Sequence, residues 1–129
     1  MGVAIQRPYE AVYDFLANPR NLFSWASVLG AEYHAEAPLE WVAEKPAFID
    51  RPVTIRFTAR NPFGVLDVSA SIDGRQVFAA PVRVVRDGEG SLVTMTIFAP
   101  ADDSEAAFHS ELEWVRTDLL TLKSLLETA

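Results

Sequence analysis

Three side chains that metals can use are spaced four residues apart near the end of the sequence, at Glu105, His109 and Glu113. If this segment is helical, the spacing places all three on one face, where two carboxylates and an imidazole could hold a metal ion. Arg116 joins the same region, so the pattern also fits a salt-linked surface exposed to solvent, and we favour that interpretation. The sequence therefore predicts no metal site and no cofactor.

His34 and Asp67 are the weak candidates for acid–base chemistry. His34 lies next to Tyr33 in a predicted strand, and an imidazole can exchange a proton near neutral pH. No relay partner for it is evident in the sequence. A structural hydrogen bond or an exposed position is therefore the favoured interpretation of His34.

Three charged residues interrupt hydrophobic strands, and any that pointed inward would orient a polar group on a ligand: Arg56, Asp67 and Arg83. Arg56 shares its alternation with Thr54 and Thr58, so it is predicted to face outward. Arg83 is the better inward candidate. An edge position or a surface ion pair is the favoured alternative for it.

Composition excludes several classes of function. Eighteen acidic and eleven basic residues give a net charge of -7, and no basic stripe is visible, so nucleic acid is not an expected partner. The absence of cysteine excludes disulfides and thiolate catalysis, and it suits the cytoplasm. No apolar run approaches the roughly 20 residues of a membrane span, so membrane insertion is not expected either.

Two short amphipathic helices are predicted near the start, after a short strand. Tyr9, Val12 and Leu16 recur at spacings of three and four, which gives the first helix one buried face. Asn18-Pro19 ends this helix, because a proline disfavours helical geometry in the residue before it. The second helix is predicted to begin near Asn21.

The middle of the chain is predicted to be an antiparallel meander. Residues 53–60 alternate as a half-buried strand does, and residues 61–64, Asn-Pro-Phe-Gly, then form a turn. Asp73-Gly74 supplies the positive backbone angles of a type I′ hairpin, so the strands on either side should pair. The longest strand is predicted over residues 76–86, and the last over residues 92–99.

A long C-terminal helix is predicted to follow Asp102, Asp103 and Ser104, which can cap its first turn. Its apolar stripe steps by three or four residues without interruption and comprises Phe108, Leu112, Val115, Leu119, Leu122 and Leu126. Such a helix needs a long apolar surface to cover. A twisted antiparallel sheet with one buried face supplies one.

The order and spacing of these elements resemble the START-like superfamily, also called SRPBCC or Bet v 1-like, over essentially the whole chain. The branch that it resembles most is polyketide-cyclase-like. The residues that carry the resemblance are Pro8, Val12, Phe15, Leu16, Pro19, Asn21 and Trp25, the segment NPFGVLD at 61–67, and Asp118-Leu119, Leu122-Lys123 and Leu126-Glu127.

The resemblance implies an α+β helix-grip fold in a single domain over residues 1–129. In this fold a curved antiparallel sheet, of about six or seven strands here, wraps around the long C-terminal helix, and two short helices follow the first strand. Members of the superfamily hold a hydrophobic ligand between the sheet and the last helix. A small lipid- or polyketide-like molecule is thus the implied partner.

The predicted ligand contacts are large or polarizable side chains, with one arginine that supplies polarity if it points inward: Trp25, Trp41, Phe57, Met95, Leu119 and Arg83. The same aromatic residues could equally fill a solid core. The sequence favours a ligand pocket and a filled core about equally.

Two other functions stay open, so the sequence does not decide whether the protein is an enzyme. A cyclase- or aromatase-like enzyme would rely on His34 or Asp67 as its acid–base group. An interaction module with a filled core would instead form a homodimer through Trp114 and Leu125, which lie off the apolar stripe of the last helix.

Overall fold

The computed structural model describes residues 1–99 and 104–128 as an α+β fold with eight strands, three α-helices and one short 3₁₀ helix. The helices are α1 (Tyr9–Ala17), α2 (Pro19–Leu22), the 3₁₀ helix (Ser27–Leu29) and α3 (Glu105–Glu127). The strands are β1 (Gly2–Ile5), β2 (Tyr33–Ala37), β3 (Glu40–Ala43), β4 (Val53–Phe57), β5 (Val68–Ile72), β6 (Arg75–Ala80), β7 (Val82–Asp87) and β8 (Gly90–Met95). The predicted α+β helix-grip class is confirmed.

The strands form two antiparallel sheets, of order β1-β8-β7 and β2-β3-β4-β5-β6. The single strand predicted over residues 76–86 is divided between β6 and β7 at Pro81, which has no N–H to donate to a sheet. Pairing continues across the division, because Leu66 N donates to Val82 O at 2.9 Å and Val84 N donates to Gly64 O at 3.1 Å. The two sheets are therefore joined edge to edge into one curved surface.

Both predicted turns are present, and side chains hold the first of them. Asn61 Oδ1 accepts hydrogen bonds from Phe63 N at 3.0 Å and Val65 N at 3.2 Å, as an Asx turn requires. Gly64 has a φ of +68°, and a side chain there would collide with the Val84 carbonyl oxygen. This turn therefore sets how closely β7 approaches the segment that leads into β5.

The second turn lies between β5 and β6, where Asp73 and Gly74 have φ values of +52° and +78°. Two successive residues with positive φ are the mark of a type I′ turn. Ile72 pairs with Arg75 across it, as the prediction requires.

The second helix begins at Pro19 rather than near Asn21. Proline is well suited to the first position of a helix, where its missing N–H has no intrahelical role. The Asn18 side chain caps α2 by accepting a hydrogen bond from Arg20 N at 3.2 Å. Asn18-Pro19 thus ends one helix and starts the next.

Helix α3 follows the predicted apolar stripe, but its two halves are buried to different extents. Leu119, Leu122 and Leu126 in the C-terminal half are at most 4% exposed, whereas Phe108 and Val115 in the N-terminal half are only partly buried. Ser104 caps the helix by accepting from Ala107 N at 3.0 Å, while Asp102 and Asp103 lie outside the described residues. No helix in the described part of the chain is long and apolar enough to cross a bilayer.

The C-terminal half of α3 is tied to β1 and the segment that follows it. Gln6 N donates to Glu127 Oε2, Arg7 donates to Leu126 O, and Lys123 Nζ donates to Ala4 O, each at 2.7 Å. These contacts hold one end of the helix against the smaller sheet. The other end extends over the larger sheet, where the core is less filled.

Candidate functional site

A cavity of about 480 Å³ lies between the five-stranded sheet and the N-terminal half of α3. Its walls come from β4, β5 and β6, from the segment around α2 and the 3₁₀ helix, and from residues 110–118 of α3. It lies between two hydrophobic clusters and draws on both: Trp25 and Met95 belong to the first, Val53 and Ile55 to the second. Space that tight packing would normally fill is left open here.

Apolar side chains make most of the cavity wall. Val53 and Ile55 of β4 are at most 3% exposed, and Ala70 of β5 and Phe78 of β6 continue the same wall. Strand alternation points these side chains toward α3. The small side chain of Ala70 leaves room in the middle of the sheet, which a larger residue would occupy.

A chain of polar groups crosses one end of the cavity and joins α3 to the 3₁₀ helix. Trp114 Nε1 donates to Ser27 Oγ at 2.9 Å, and Ser27 Oγ donates to Asp118 Oδ1 at 2.7 Å. Ser27 N also donates to Asp118 Oδ1, at 3.3 Å. The 3₁₀ helix is thereby held against α3, and the carboxyl group of Asp118 is held in place.

Asp118 is one of only two buried polar residues among those described, at 7% exposed, and it lines the cavity. Burial raises the pKa of its carboxyl group, because the charged form loses its hydration, and the two hydrogen bonds from Ser27 oppose that rise. An acid in such surroundings can either pair with a ligand or exchange a proton with one.

The cavity is partly open, and aromatic side chains lie beside its opening. Trp114 lines the cavity and is 39% exposed, and the ring of Phe48 packs edge-on against it at a centroid distance of 5.1 Å. Phe48 is 85% exposed and has a φ of +64°. Val77, on the opposite wall, is also exposed. These residues border the route by which a ligand would enter.

Two of the predicted contact residues, Trp25 and Met95, line this cavity. Phe57 does not, but it lines an adjoining side pocket of about 30 Å³ that Trp25 and Met95 also border. These three predicted residues are thus brought to one region, between α2 and the sheet.

The other three predicted contact residues lie elsewhere. Leu119 is 2% exposed and packs in the first hydrophobic cluster. Trp41 belongs to an aromatic cluster with Phe23 and Tyr33, with ring centroids 6.0 and 6.1 Å away. Neither residue is in the cavity wall.

Arg83 was the candidate for an inward position, but its side chain lies on the outward side of β7. Val82 and Val84 are the buried residues of β7, so Arg83 shares the outward side with the exposed Val85. Its guanidinium group pairs with Asp67 Oδ1 and donates to Val82 O at 3.0 Å. This is the surface ion pair that was the favoured alternative.

Neither weak acid–base candidate faces the cavity. His34 is exposed on β2 and lies 2.8 Å from Glu36 Oε1 and 3.2 Å from Glu44 Oε1. Asp67 pairs with Arg83 and accepts from Val82 N at 3.0 Å. An acid–base role in the cavity would therefore fall to a different residue, Asp118.

Glu105, His109 and Glu113 are exposed on α3, and Arg116 Nε lies 3.8 Å from Glu113 Oε1. In the described parts of the chain, no group of three metal-binding side chains is arranged around one point.

The two residues predicted for self-association are both exposed on α3. Leu125 is 38% exposed, and Trp114 contributes to the cavity opening.

A second depression, of about 560 Å³, lies on the surface beside the β7–β8 turn. Its lining includes Glu10, Arg86 and Glu89, and Arg86 Nη1 pairs with Glu10 Oε1 at 2.7 Å. These charged side chains are exposed and remain solvated. The apolar cavity beneath the larger sheet is therefore the stronger candidate for a binding site.

The cavity-lining acid Asp118 and its hydrogen-bond partner Ser27 are not among the residues predicted from the sequence to form the site. A signal for Asp118 was present, because it follows Val115 by three residues and precedes Leu122 by four, which places it within the apolar stripe of α3. Its partner Ser27 is 91 positions away and gave no comparable signal.

No family model and no curated protein matches the sequence. Solved structures do match, over nearly the whole chain. The Aha1 dimer from Colwellia psychrerythraea superposes with a TM-score of 0.70 at 15% identity, over 98% of this chain and 93% of that one. Protein MLL2253 from Mesorhizobium loti gives a TM-score of 0.71 at 14% identity, over 100% and 96% of the two chains.

DynU16, from the dynemicin biosynthetic locus, gives a TM-score of 0.65 at 18% identity, over 99% of this chain and 46% of that one. At these identities the similarity shows the fold. The chain has a helix-grip fold, as the resemblance in its sequence implied.

Proposed function

We propose that this helix-grip protein binds a small hydrophobic molecule in the cavity between its five-stranded sheet and α3. The observation that carries the proposal is the cavity itself, about 480 Å³ in volume and walled largely by apolar side chains. Small-molecule sites typically measure roughly 300 to 1,000 Å³ and combine apolar walls with a few polar groups. Asp118 and Trp114 supply such polar groups to the wall, and Ser27 bonds to both of them.

The fold adds support of a weaker kind, because helix-grip proteins characteristically hold ligands in this position. One of the structures with this fold comes from a biosynthetic locus, that of dynemicin. Fold alone does not specify a ligand. A lipid- or polyketide-like molecule is the class that an apolar cavity of this volume accommodates.

A second candidate function is catalysis of the cyclase or aromatase kind. The observation that favours it is the buried carboxyl group of Asp118, whose pKa is raised by loss of hydration inside an apolar cavity. General acids and bases in enzymes are commonly tuned in this way. His34 and Asp67 pair with other groups outside the cavity, so Asp118 is the residue on which such an activity would depend.

Self-association is a separate proposal, and it does not require an empty core. The Colwellia protein with this fold is described as a dimer. Trp114 and Leu125 are both more than a third exposed on α3 here. Light scattering on the wild type and on Leu125→Ala tests the proposal. If the dimer uses this face, the measured molar mass should fall from that of a dimer toward that of a monomer in the variant.

The ligand-binding proposal is tested with N-phenyl-1-naphthylamine, an uncharged dye whose fluorescence rises in apolar surroundings. We expect saturable binding to the wild type. Ala70→Phe should abolish it, because the new ring occupies the cavity, whereas Ala79→Phe places the same ring on an exposed position of β6 and should leave it intact. Equal binding by both variants would contradict the proposal.

A further inference from the structure

The charges around the cavity are all of one sign. Only two ionisable side chains line it among the residues described, Glu111 and Asp118, and both are acids. No lysine, arginine or histidine of the described chain is part of the wall. The protein as a whole also carries a net charge of -7. A negatively charged ligand group would therefore find no opposite charge in the cavity.

The two oxygens of the Asp118 carboxyl group have different surroundings. Oδ1 accepts both hydrogen bonds from Ser27, at 2.7 and 3.3 Å. Within the described residues Asp118 has no other hydrogen bond, so Oδ2 is left toward the cavity that the residue lines. Oδ2 keeps some accessible surface in this largely buried residue, so a donor that enters the cavity can reach it and supply that partner.

We propose that Asp118 Oδ2 anchors the ligand, and that the cavity selects an apolar molecule bearing an alcohol, phenol or ammonium group over one bearing a carboxylate. This inference rests on the ligand-binding function proposed above. It assigns to that ligand an uncharged or cationic hydrogen-bond donor as its polar group.

The arrangement around Asp118 suits a hydroxyl group in either state of the acid, and an ammonium group when the acid is ionised. When the carboxyl group is ionised, Oδ2 accepts a hydrogen bond from the ligand, and an ammonium group adds a charge–charge attraction. When it is protonated, the two donors on Oδ1 leave the proton on Oδ2, from which it can be donated to a hydroxyl oxygen.

A carboxylate on the ligand would meet the opposite situation. It has no N–H or O–H to donate, and it would bring a second negative charge against the ionised carboxylate of Asp118. Like charges at close range in a partly desolvated site repel more strongly than they do in water. An apolar chain of the same length should therefore bind less tightly when it ends in a carboxylate.

The test uses three unbranched ligands of ten carbons each: decan-1-ol, decylamine and decanoate. Each is titrated at neutral pH against the protein loaded with N-phenyl-1-naphthylamine, at concentrations below self-association of the ligand. Displacement by the amine and the alcohol should be at least about tenfold tighter than displacement by decanoate, a difference of about 1.4 kcal/mol. Equal or tighter displacement by decanoate in the wild type would overturn the inference.

Asp118→Asn tests whether Asp118 causes the selectivity, and Asp73→Asn is the matched control. Asp73 is exposed in the β5–β6 turn, and its substitution changes the net charge by the same amount. We expect the amine-to-decanoate ratio to fall to within about threefold in Asp118→Asn and to persist in Asp73→Asn. An unchanged ratio in Asp118→Asn would reject the anchor.

Circular dichroism checks that each variant is folded. If Asp118→Asn does not fold, the ratio of amine to decanoate affinity in the wild type decides whether the cavity is selective. Failure of the two proposals can be told apart. Absence of dye binding to the wild type would overturn both the ligand-binding function and the anchor. Dye binding without selectivity would leave the function standing and overturn only the anchor.

Discussion

Ser27 Oγ and Asp118 Oδ1 lie 2.7 Å apart although 91 positions separate the two residues in the chain. The hydrogen bond joins the 3₁₀ helix near the start to the last helix, across one end of the cavity. The Ser27 hydroxyl also accepts from Trp114 Nε1, so one side chain connects the buried acid to a residue at the opening. This hydroxyl group therefore both holds the 3₁₀ helix against α3 and positions the carboxyl group of Asp118.

Ser27→Ala is expected to lower the free energy of unfolding by about 1 to 3 kcal/mol, the range for a hydrogen bond to a charged or buried acceptor. The substitution leaves Asp118 Oδ1 with only the longer hydrogen bond from Ser27 N. Urea denaturation measures the change. Ser24→Ala is the control and should cost less, because Ser24 is exposed like Ser27 but its hydroxyl donates only to the Asn21 backbone carbonyl. Equal costs would argue against the role assigned to Ser27.

Asp118→Asn should change how stability depends on pH. Because burial raises the carboxyl pKa in the folded chain, the folded state holds this proton more tightly than the unfolded state does. The tighter proton binding stabilises the folded wild type at low pH, and this stabilisation is lost as pH rises through the raised pKa of Asp118. The variant should therefore gain stability relative to the wild type as pH increases from about 4, the ordinary range of an aspartic acid.

Urea denaturation of both proteins at a series of pH values measures that difference. It should grow with pH and then become constant once the wild-type carboxyl group is ionised in both states. A difference that shrinks as pH rises would mean that the folded protein lowers the pKa instead.

Leu122→Ala should destabilise the protein by about 2 to 5 kcal/mol, since the side chain is fully buried and its removal leaves a void. Leu120→Ala provides a matched control on the same helix, because Leu120 is 54% exposed and its loss should cost no more than about 0.5 kcal/mol. Chemical denaturation compares the two. Similar costs would mean that the buried face of α3 is misassigned.

Much of this architecture could be predicted from local patterns, and α3 shows why. Its stripe from Phe108 to Leu126 depends only on helical spacing, and the structure buries the C-terminal half of it as expected. Asp73-Gly74 was equally readable, because few dipeptides accept two positive φ values in succession.

The cavity residues were harder to predict, because their positions depend on how the sheet bends. Arg83 lies between Val82 and Val84 and has Val85 on its own side of β7, so alternation alone allowed either face; the structure buries Val82 and Val84, and Arg83 faces outward. Trp41 had the size of a ligand contact but packs against Phe23 and Tyr33 instead. Neither outcome follows from the spacing of residues along one strand.

Phe48→Gly is expected to be more stable than Phe48→Ala by about 1 kcal/mol, because a φ of +64° lies in the left-handed region, which glycine adopts without strain. Both variants remove the same exposed ring, so the comparison isolates the backbone. Thermal or urea unfolding measures it. At Phe63, which is also exposed but does not have a positive φ, glycine should give no such advantage over alanine. The same order at both positions would contradict the backbone assigned to Phe48.

The central claim is that an apolar ligand occupies the space between the larger sheet and α3, and amide chemical-shift mapping by NMR tests it most directly. On addition of N-phenyl-1-naphthylamine, the largest shifts should appear at Ile55 and Ala70, which are paired on the sheet, and at Val115 on α3, all of which line the cavity. Shifts confined to the surface depression around Arg86 and Glu89 would contradict the account. So would the absence of any saturable shift at the cavity residues.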